Sequence, residues 1–215
     1  FYLSFDTYKS SFFNYNLLMQ KIEFDIYKYK SVTSTNDVAI KMIKNKEKEV
    51  GFIYANSQSN GRGTRGKKWL SNKGNLFGSI FFPLKKNYPP FNEFSIINSV
   101  IISSVIKNFC KKKITSLKFP NDILVSGKKI CGILQEIINL NGKNFLVIGI
   151  GINVISNPII KNKYKATNIF FETKKKVPIK KILNKIITNY ENFFFNFSSY
   201  NYNEFKKKAK LMGTN

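Results

Sequence analysis

The chain has 215 residues, enough for one domain with a sizeable core or for one domain and a small appendage. It carries 36 Lys and Arg against 12 Asp and Glu, which gives a formal net charge of +24. It contains no His, which excludes His-based triads and His-ligated metal sites, and no uncharged apolar run is long enough to span a bilayer.

The first half of the chain is predicted to alternate between strands and helices. Apolar and polar residues alternate at 21–30, which indicates a strand. Apolar residues then recur at helical spacing, and either Ser34 or Thr35 can cap this helix. Short apolar runs at 51–57 and 75–84 predict two further strands, with a loop rich in Gly and Arg between them.

The second half is predicted to consist mainly of hairpins between two helices. Residues 93–110 and 178–197 carry helical spacing of apolar residues. Residues 114–154 predict three or four strands, with turn signals at 126–127 and 139–144. This order predicts an α+β fold, in which helices flank a mixed, mainly antiparallel central sheet, and not an alternating βαβ fold.

The stretch SQSNGRGTRGKKWL at 57–70 holds the only two Arg of the chain and its only Trp. Interleaved glycines let backbone N–H groups converge on a phosphate or a carboxylate. Arg adds a planar fork of donors, and Trp offers a flat face to a purine. Together these features favour a bound nucleotide or acyl phosphate, and the alternative is a basic hairpin tip with a buried Trp. The loop lacks the GK[ST] ending of a P-loop.

Two later stretches add candidate site residues. In KFPND at 118–122, the proline can place Asp122 at a strand end, and the hairpin that follows can return Lys129 to the same region. Such a pair can hold a metal-bound phosphate and a reacting carboxylate, or it can be an exposed salt bridge of little energetic value. In GIGIN at 149–153, paired glycines indicate a close approach to the backbone, and Asn153 ends the strand.

Taken in order, six motifs resemble the biotin protein ligase family, also called biotin–[acetyl-CoA-carboxylase] ligase. They are STN at 34–36, Q-x-x-GRG-x-RG-x-KW at 58–69, GNL at 74–76, KFPND at 118–122, KKICGIL at 128–134 and GIGIN at 149–153. The resemblance covers about residues 30–200. It implies a biotin/lipoate ligase catalytic domain of the class II synthetase-like kind. It also implies that biotin and Mg-ATP react to biotinyl-5′-AMP, whose biotinyl group passes to a carrier lysine.

The resemblance also assigns roles to individual residues. Catalytic roles fall to Lys129, Arg62 and Asp122. The residues placed around biotin are Ser34, Thr35, Asn36, Gln58, Gly61, Arg62, Gly63, Thr64, Lys129, Gly132 and Gly151. The residues placed around ATP and the adenylate are Arg62, Arg65, Trp69, Lys118, Asn121, Asp122 and Asn153. ATP, Mg²⁺ and the substrate biotin are the expected ligands, and Asp122 is the one candidate for contact with Mg²⁺. Thr64 stands where many family members have Arg.

The expected organisation is an N-terminal extension at 1–30, a catalytic domain at 31–205 and, at 206–215, the start of a C-terminal domain that is absent or truncated. The extension shows no helix-turn-helix pattern, so no DNA-binding domain is expected. The implied partner is the biotin carboxyl carrier domain of acetyl-CoA carboxylase or of another biotin-dependent carboxylase. Neither a specific nucleic acid nor a membrane is expected, and a homodimer is left open. The expected location is the cytoplasm or a plastid-type organelle, without secretion.

Two other functions compete with this interpretation. A lipoate or octanoyl ligase or transferase of the same superfamily ranks second, because the His-containing motif of lipoate ligases is absent from a chain without His. A basic nucleic-acid-binding module would explain the charge and the Gly-Arg loop, but not the remaining motifs. The lysines are spread along the whole chain, which favours a compositional bias over a nucleic-acid footprint.

Overall fold

A seven-stranded sheet forms the centre of the protein in a computed structural model that describes residues 22–158 and 165–213. The strand order is β1-β2-β3-β7-β6-β5-β4. β1 runs parallel to β2, and the other neighbours are antiparallel. The strands are β1 Ile26–Tyr29, β2 Gly51–Ala55, β3 Leu76–Pro83, β4 Thr115–Lys118, β5 Asp122–Val125, β6 Lys128–Leu140 and β7 Lys143–Ile152. The predicted fold class is confirmed.

Helices cover both faces of the sheet. They are α1 Thr35–Lys44, α2 Phe94–Phe109, α3 Ile169–Thr173, α4 Ile179–Phe195 and α5 Tyr202–Met212. α1 lies on one face and buries Ala39, Met42 and Ile43 against β2, β3 and β7. α2 and α4 lie on the opposite face and form the larger core with the sheet. In the described ranges, no helix combines the length and apolarity needed to cross a bilayer.

The long apolar run of β3 follows from its central place in this arrangement. Every residue of β3 is buried, because β2 and β7 pair with its edges while helices cover both of its faces. On the larger core side, the rings of Phe82 and Phe194 meet edge to face with centroids 4.9 Å apart. This packing joins β3 to α4 and makes the centre of the sheet a rigid base.

Both hairpin turns predicted from the sequence are present. Ser126 and Gly127 join β5 to β6 with φ values of 50° and 73°. Asn141 and Gly142 join β6 to β7 with φ values of 52° and 80°. Positive φ at both central residues is the signature of the type I′ turn, whose twist matches that of the flanking strands. These turns fix the register of β5, β6 and β7, and hence which side chains face the cleft described below.

Several element boundaries differ from the prediction. The first strand is limited to Ile26–Tyr29 of the predicted 21–30, and residue 21 lies outside the described residues. Ser34 is the N-cap of α1 with an extended backbone, but its side chain makes no capping hydrogen bond. Helices α3 and α5 were not predicted. α5 runs across the proposed boundary at 206 and packs on α2. The division into an extension, a catalytic domain and a C-terminal start stays a prediction, and residues 1–21 of the extension lie outside the described residues.

Candidate active site

A cleft opens where the N-terminus of α1, the loop after β2 and the middle strands of the sheet meet. Most of the residues predicted from the motifs line it, and they are Ser34, Thr35, Asn36, Gln58, Arg62, Gly63, Thr64, Trp69, Asn121, Lys129, Gly132 and Gly151. The predicted residues that do not line it are Gly61, Arg65, Lys118, Asp122 and Asn153. Segments far apart in the chain therefore converge on one cleft, although the ligand contacts assigned to these residues stay predictions.

One end of the cleft is a network of neutral hydrogen-bonding groups at the start of α1. The Thr35 amide and hydroxyl donate to Oε1 of Gln58 at 2.8 and 3.2 Å. The Ser79 hydroxyl, on β3, lies within hydrogen-bonding distance of Oγ1 of Thr35, at 2.8 Å, and of Oδ1 of Asn36, and its single proton can go to either. Gln58 in turn donates through Nε2 to the Ser71 hydroxyl at 3.0 Å. Thr35, Asn36 and Ser79 are buried, so this end is polar and largely withdrawn from solvent.

The loop at 59–68 folds back on itself above the cleft. Trp69 N–H donates to Gly61 O at 2.8 Å, and Gly63 N–H donates to Lys67 O at 2.6 Å. At the tip, Arg65 and Gly66 have φ values of 56° and 70°, which turns the chain within two residues. The Arg65 side chain is exposed there and points away from the cleft lining. Gly61 leaves no room for a Cβ, which would stand 2.6 Å from Trp69 O.

The single Trp lies flat against the glycines of β6 and β7. A Cβ added to Gly132 would be 2.6 Å from Trp69 Cζ3, and one added to Gly151 would be 2.4 Å from Trp69 Cε2. These glycines are therefore needed for the indole to reach the sheet. The indole Nε1 is buried and has no hydrogen-bond acceptor among the residues at 22–158 and 165–213. A buried N–H group without a partner is unfavourable, and an acceptor on a bound ligand would relieve it.

Lys129 forms the charged end of the cleft and pairs with Asp122, which does not itself line the cleft. Lys129 Nζ lies 2.7 Å from Oδ1 of Asp122, and both side chains are largely buried, with exposures of 14% and 18%. The ammonium also lies 5.5 Å from the centroid of the Trp69 ring, within cation–π range. The proximity predicted for these two residues across the β5–β6 turn is present. The pair differs from an exposed surface bridge, because its burial weakens solvent screening.

Arg62 is held by two carboxylates that sequence analysis did not single out. Its Nη1 and Nη2 donate to Oε1 and Oε2 of Glu136, both at 2.8 Å. Nη2 also lies 2.8 Å from Oδ1 of Asp37. The hydrogen bonds to Glu136 raise the pKa of the Arg62 guanidinium, with Asp37 adding to the effect. A signal for Glu136 existed in the sequence, because Gly132, Leu134 and Glu136 share one face of a strand.

Asn153 and Asn121 connect the cleft to its surroundings. Asn153 is buried, and its Nδ2 donates to Thr167 O at 3.0 Å, so the amide fixes the segment at 165–169 and does not line the cleft. Its Oδ1 has no hydrogen-bond partner. Asn121 donates to Ile133 O at 3.2 Å and to Thr64 Oγ1 at 3.4 Å, at the cleft wall. Lys118 is exposed at the end of β4.

The segment at 165–169 does not line the cleft, but it pairs with the backbone of Lys129. Lys129 N–H donates to Lys165 O, and Thr167 N–H donates back to Lys129 O, both at 2.9 Å. The Thr167 hydroxyl donates to the buried carboxylate of Glu172 at 2.7 Å. These bonds fix the backbone from which the Lys129 side chain extends toward Asp122 and Trp69.

Neither a metal centre nor a cysteine nucleophile fits the described site. Among the residues at 22–158 and 165–213, no group of three or more His, Cys, Asp or Glu could hold a metal ion. Burial raises the pKa of the Cys131 thiol far above its ordinary range. Burial, with the Glu172 carboxylate nearby, raises the pKa of Cys110 to about 11. Both thiols are therefore neutral near pH 7 and poor nucleophiles.

Comparison with known proteins identifies the family. The chain belongs to the biotin/lipoate A/B protein ligase family, whose sequence profile matches residues 29–153. It is 32% identical over 125 residues to the bifunctional ligase/repressor BirA of Escherichia coli K12, a match that covers 57% of this chain and 38% of that protein. A relative from Bacillus subtilis with the same description is matched over 39% of its length. The chain thus spans about two-fifths of these relatives.

Solved structures show the same fold. The biotin protein ligase from Leishmania major, in complex with biotinyl-5-AMP, aligns with a TM-score of 0.75 and 25% identity, over 88% of this chain and 81% of that one. The biotin protein ligase from Aquifex aeolicus, in complex with biotin and ATP, aligns with a TM-score of 0.73 and 28% identity, over 88% of this chain and 78% of that one.

Proposed function

We propose that this chain activates biotin with ATP as biotinyl-5′-AMP and transfers the biotinyl group to a lysine of a biotin carboxyl carrier domain. The observation that carries the proposal is one cleft with two unlike ends. One end is a neutral polar network around Thr35 and Gln58, and the other holds the Lys129–Asp122 pair beneath Trp69. A ligand with a neutral polar head and an anionic tail matches this division, and the complexes of the Leishmania and Aquifex ligases support the choice of biotin.

The neutral end favours biotin over lipoate or octanoate. The ureido ring of biotin offers two N–H donors and a carbonyl acceptor, which can exchange hydrogen bonds with Thr35, Asn36 and Gln58. An octanoyl chain or the dithiolane of lipoate offers no comparable partners. Burying such a group would remove water from the polar side chains of this network and return no hydrogen bond, and this disfavours the apolar analogue. The lipoate or octanoyl alternative is therefore the weaker proposal.

The charged end suits formation of an acyl phosphate. In the first step, a carboxylate oxygen of biotin bonds to the α-phosphorus of ATP while the bond from that phosphorus to pyrophosphate breaks. Lys129 can neutralise both reacting anions, because its ammonium stands at the cleft end opposite the neutral network. The loop at 59–68 covers this region, and such a cover protects a mixed anhydride from water.

The second step needs an amine that has lost its proton. The nitrogen of the acceptor lysine attacks the acyl carbon, the bond from this carbon to the phosphate oxygen breaks, and AMP leaves. Asp122 lies at the same end and is the candidate to orient the amine. Mg²⁺ would supply charge neutralisation on the ATP phosphates. The candidate Mg²⁺ contact is one carboxylate, Asp122, which is already paired with Lys129. This arrangement suits a cation that arrives bound to the ATP phosphates, and it does not form a metal site made of protein ligands only.

The proposed protein partner is a biotin carrier domain. The name of a relative from Paracoccus denitrificans, biotin–[acetyl-CoA-carboxylase] ligase, supports acetyl-CoA carboxylase as the source of this domain. The net charge of +24 would favour encounter with an acidic carrier surface at low ionic strength. The particular carboxylase, a homodimer and a cytoplasmic or plastid-type location stay predictions.

The test is exchange of labelled pyrophosphate into ATP, followed with biotin, lipoate, octanoate or no acid. Of these conditions, we expect pyrophosphate exchange only with biotin. When a carrier domain is added, we expect it to be biotinylated. Exchange that is equal with lipoate or octanoate would support the second candidate. Binding of random-sequence DNA, together with no pyrophosphate exchange with any of the three acids, would support a nucleic-acid-binding module instead.

A further inference from the structure

Glu136 links the loop at 59–68 to the sheet through Arg62. The carboxylate accepts both terminal amino groups of the guanidinium at 2.8 Å, a bidentate geometry that is among the stronger protein ion pairs. It also accepts a hydrogen bond at 2.7 Å from Nδ2 of Asn36, in the first turn of α1. Glu136 therefore joins three structural units, which are the loop, the start of α1 and strand β6.

The guanidinium fork is already occupied in this arrangement. Arg62 faces the charges of both Glu136 and Asp37, so one positive group meets two negative groups. Both terminal amino groups are engaged, and only Nε–H is buried without an acceptor. A phosphate that sought the same two amino groups would have to displace a carboxylate at the cost of its hydrogen bonds. Arg62 is therefore poorly placed to bind a ligand phosphate through its fork.

The rest of the loop has weaker ties to the sheet. At its base, Ser59 N–H donates to Val32 O at 3.0 Å, and Asn60 N–H donates to Thr33 O at 2.9 Å. Beyond these residues, the Thr64 contact with Asn121 is long, at 3.4 Å. The Arg62–Glu136 pair is therefore the strong charged connection between the far part of the loop and β6 within the described structure.

We propose that Glu136, assisted by Asp37, is a positioning residue that latches the loop over the cleft through Arg62. Arg62 then acts on substrates through the position of the loop and not as a direct phosphate ligand. The negative charge of the substrates is left to Lys129 and to the loop residues Lys67 and Lys68, which line the cleft. The catalytic part of this inference rests on the proposed function, whereas the latch itself can be measured without any substrate.

The experiment compares Glu136→Gln, Arg62→Gln and the double variant in the full chain. The first readout is hydrogen exchange of the amides at 61–68 without ligand, together with Trp69 fluorescence. We expect each single variant to speed exchange by about ten- to a hundredfold, because a charged hydrogen bond is lost. The double variant should be no faster than the singles, because all three break one pair. Asp37→Asn should give a smaller change in the same direction.

The second readout separates a latch from a phosphate ligand. For a latch, Glu136→Gln and Arg62→Gln raise the KM for biotin alike, and kcat for pyrophosphate exchange changes by less than about threefold. If Arg62 binds the phosphate directly, Arg62→Gln loses kcat by about a hundredfold while Glu136→Gln does not. This result would overturn the proposal, as would unchanged loop exchange in Glu136→Gln.

A matched control removes the same charge elsewhere. Glu49 pairs with Lys143 at 2.6 Å on the exposed surface, so Glu49→Gln should leave both loop exchange and kinetics at the parent values. A loop response in this variant equal to that of Glu136→Gln would contradict a specific latch. If the parent chain shows no exchange of pyrophosphate, the proposed function fails, and the hydrogen-exchange comparison still decides whether the latch exists.

Discussion

Two segments next to Lys129, called walls below, are held in place by different kinds of interaction: the loop at 59–68, which lines the cleft, and the segment at 165–169, which lies outside its lining. The loop at 59–68 depends on a partly exposed ion pair between Arg62 and Glu136. The segment at 165–169 depends on buried, short hydrogen bonds that connect Asn153, Thr167 and Glu172. Partly exposed pairs weaken with salt and open at low cost, whereas buried hydrogen bonds are expensive to break. One wall is thus suited to admit and cover a ligand, and the other to hold Lys129 at a fixed point.

Loss of the Lys129 ammonium should have the largest effect on activity. Lys129→Ala removes the ammonium that faces the reacting anions, so we expect biotin-dependent pyrophosphate exchange to fall by about 10²- to 10³-fold. Lys128→Ala serves as the control, since this neighbouring side chain contacts Phe171 and does not line the cleft. Pyrophosphate exchange in Lys129→Ala at the parent rate would show that the Lys129 ammonium does not take part in the reaction.

The packing of the chain after the loop against the sheet can be disrupted at Trp69. Gly151→Ala places a methyl group 2.4 Å from Trp69 Cε2, so the indole must move away from β7. We expect a loss of about 1–3 kcal/mol in the free energy of unfolding and a red shift of Trp emission. Urea unfolding and fluorescence measure these quantities. Combining Gly151→Ala with Trp69→Phe should recover part of the stability, and no recovery would place the damage elsewhere than at the indole.

The opposite wall can be weakened through Thr167. Thr167→Val keeps the shape of the side chain but removes the hydroxyl that donates to Glu172 at 2.7 Å. The loss should be about 1–2 kcal/mol of unfolding free energy, because a buried carboxylate loses a hydrogen bond. Thr173→Val makes the same change on α3 at a half-buried position and should cost less. Hydrogen exchange at 61–68 should stay unchanged, and faster exchange there would mean that the walls are coupled.

Salt concentration should have the smallest effect, and it should change amide exchange only in the loop at 59–68. At 1 M NaCl the Debye length is about 3 Å, so the attraction between Arg62 and its carboxylates is screened where the pair is exposed. We expect amide exchange at 61–68 to rise by about two- to fivefold relative to 0.1 M NaCl, and exchange at 165–172 to stay constant. The salt response should vanish in Glu136→Gln. If the salt response persists in Glu136→Gln, it arises from the many other lysines of the chain and not from this ion pair.

Much of the fold could be predicted because its signals are local. The type I′ turns at 126–127 and 141–142 carry Gly at the second of their two positions with positive φ, and β3 is apolar apart from Gly78 and Ser79. Helices α3 and α5 carry only one such local signal each, an Asn at the N-cap (Asn168 and Asn201) whose side chain accepts a backbone N–H. α3 has only five residues, and in α5 the single buried residue is Ala209, among many lysines. These elements form because a neighbouring surface is present, and a pattern within the segment cannot reveal that surface.

The candidate site divides in the same way. Motif residues such as Gln58 and Lys129 could be singled out from their sequence neighbourhoods, and they do line one cleft. The role of Glu136 depends on which loop crosses above β6, and this is a long-range property. Asn153 was predicted near the adenylate, but its amide holds the 165–169 segment, so its ligand contact stays a prediction. The motif indicates which residues matter, whereas the three-dimensional structure shows what each one touches.

The most direct test of the central claim is mass spectrometry of the intact chain after incubation with biotin and Mg-ATP. The proposed function predicts a bound species with the mass of biotinyl-5′-AMP, which disappears when biotin is omitted and is reduced in Lys129→Ala. Absence of this species from the parent chain, under conditions where both biotin and ATP are bound, would contradict the claim that the cleft forms an acyl adenylate.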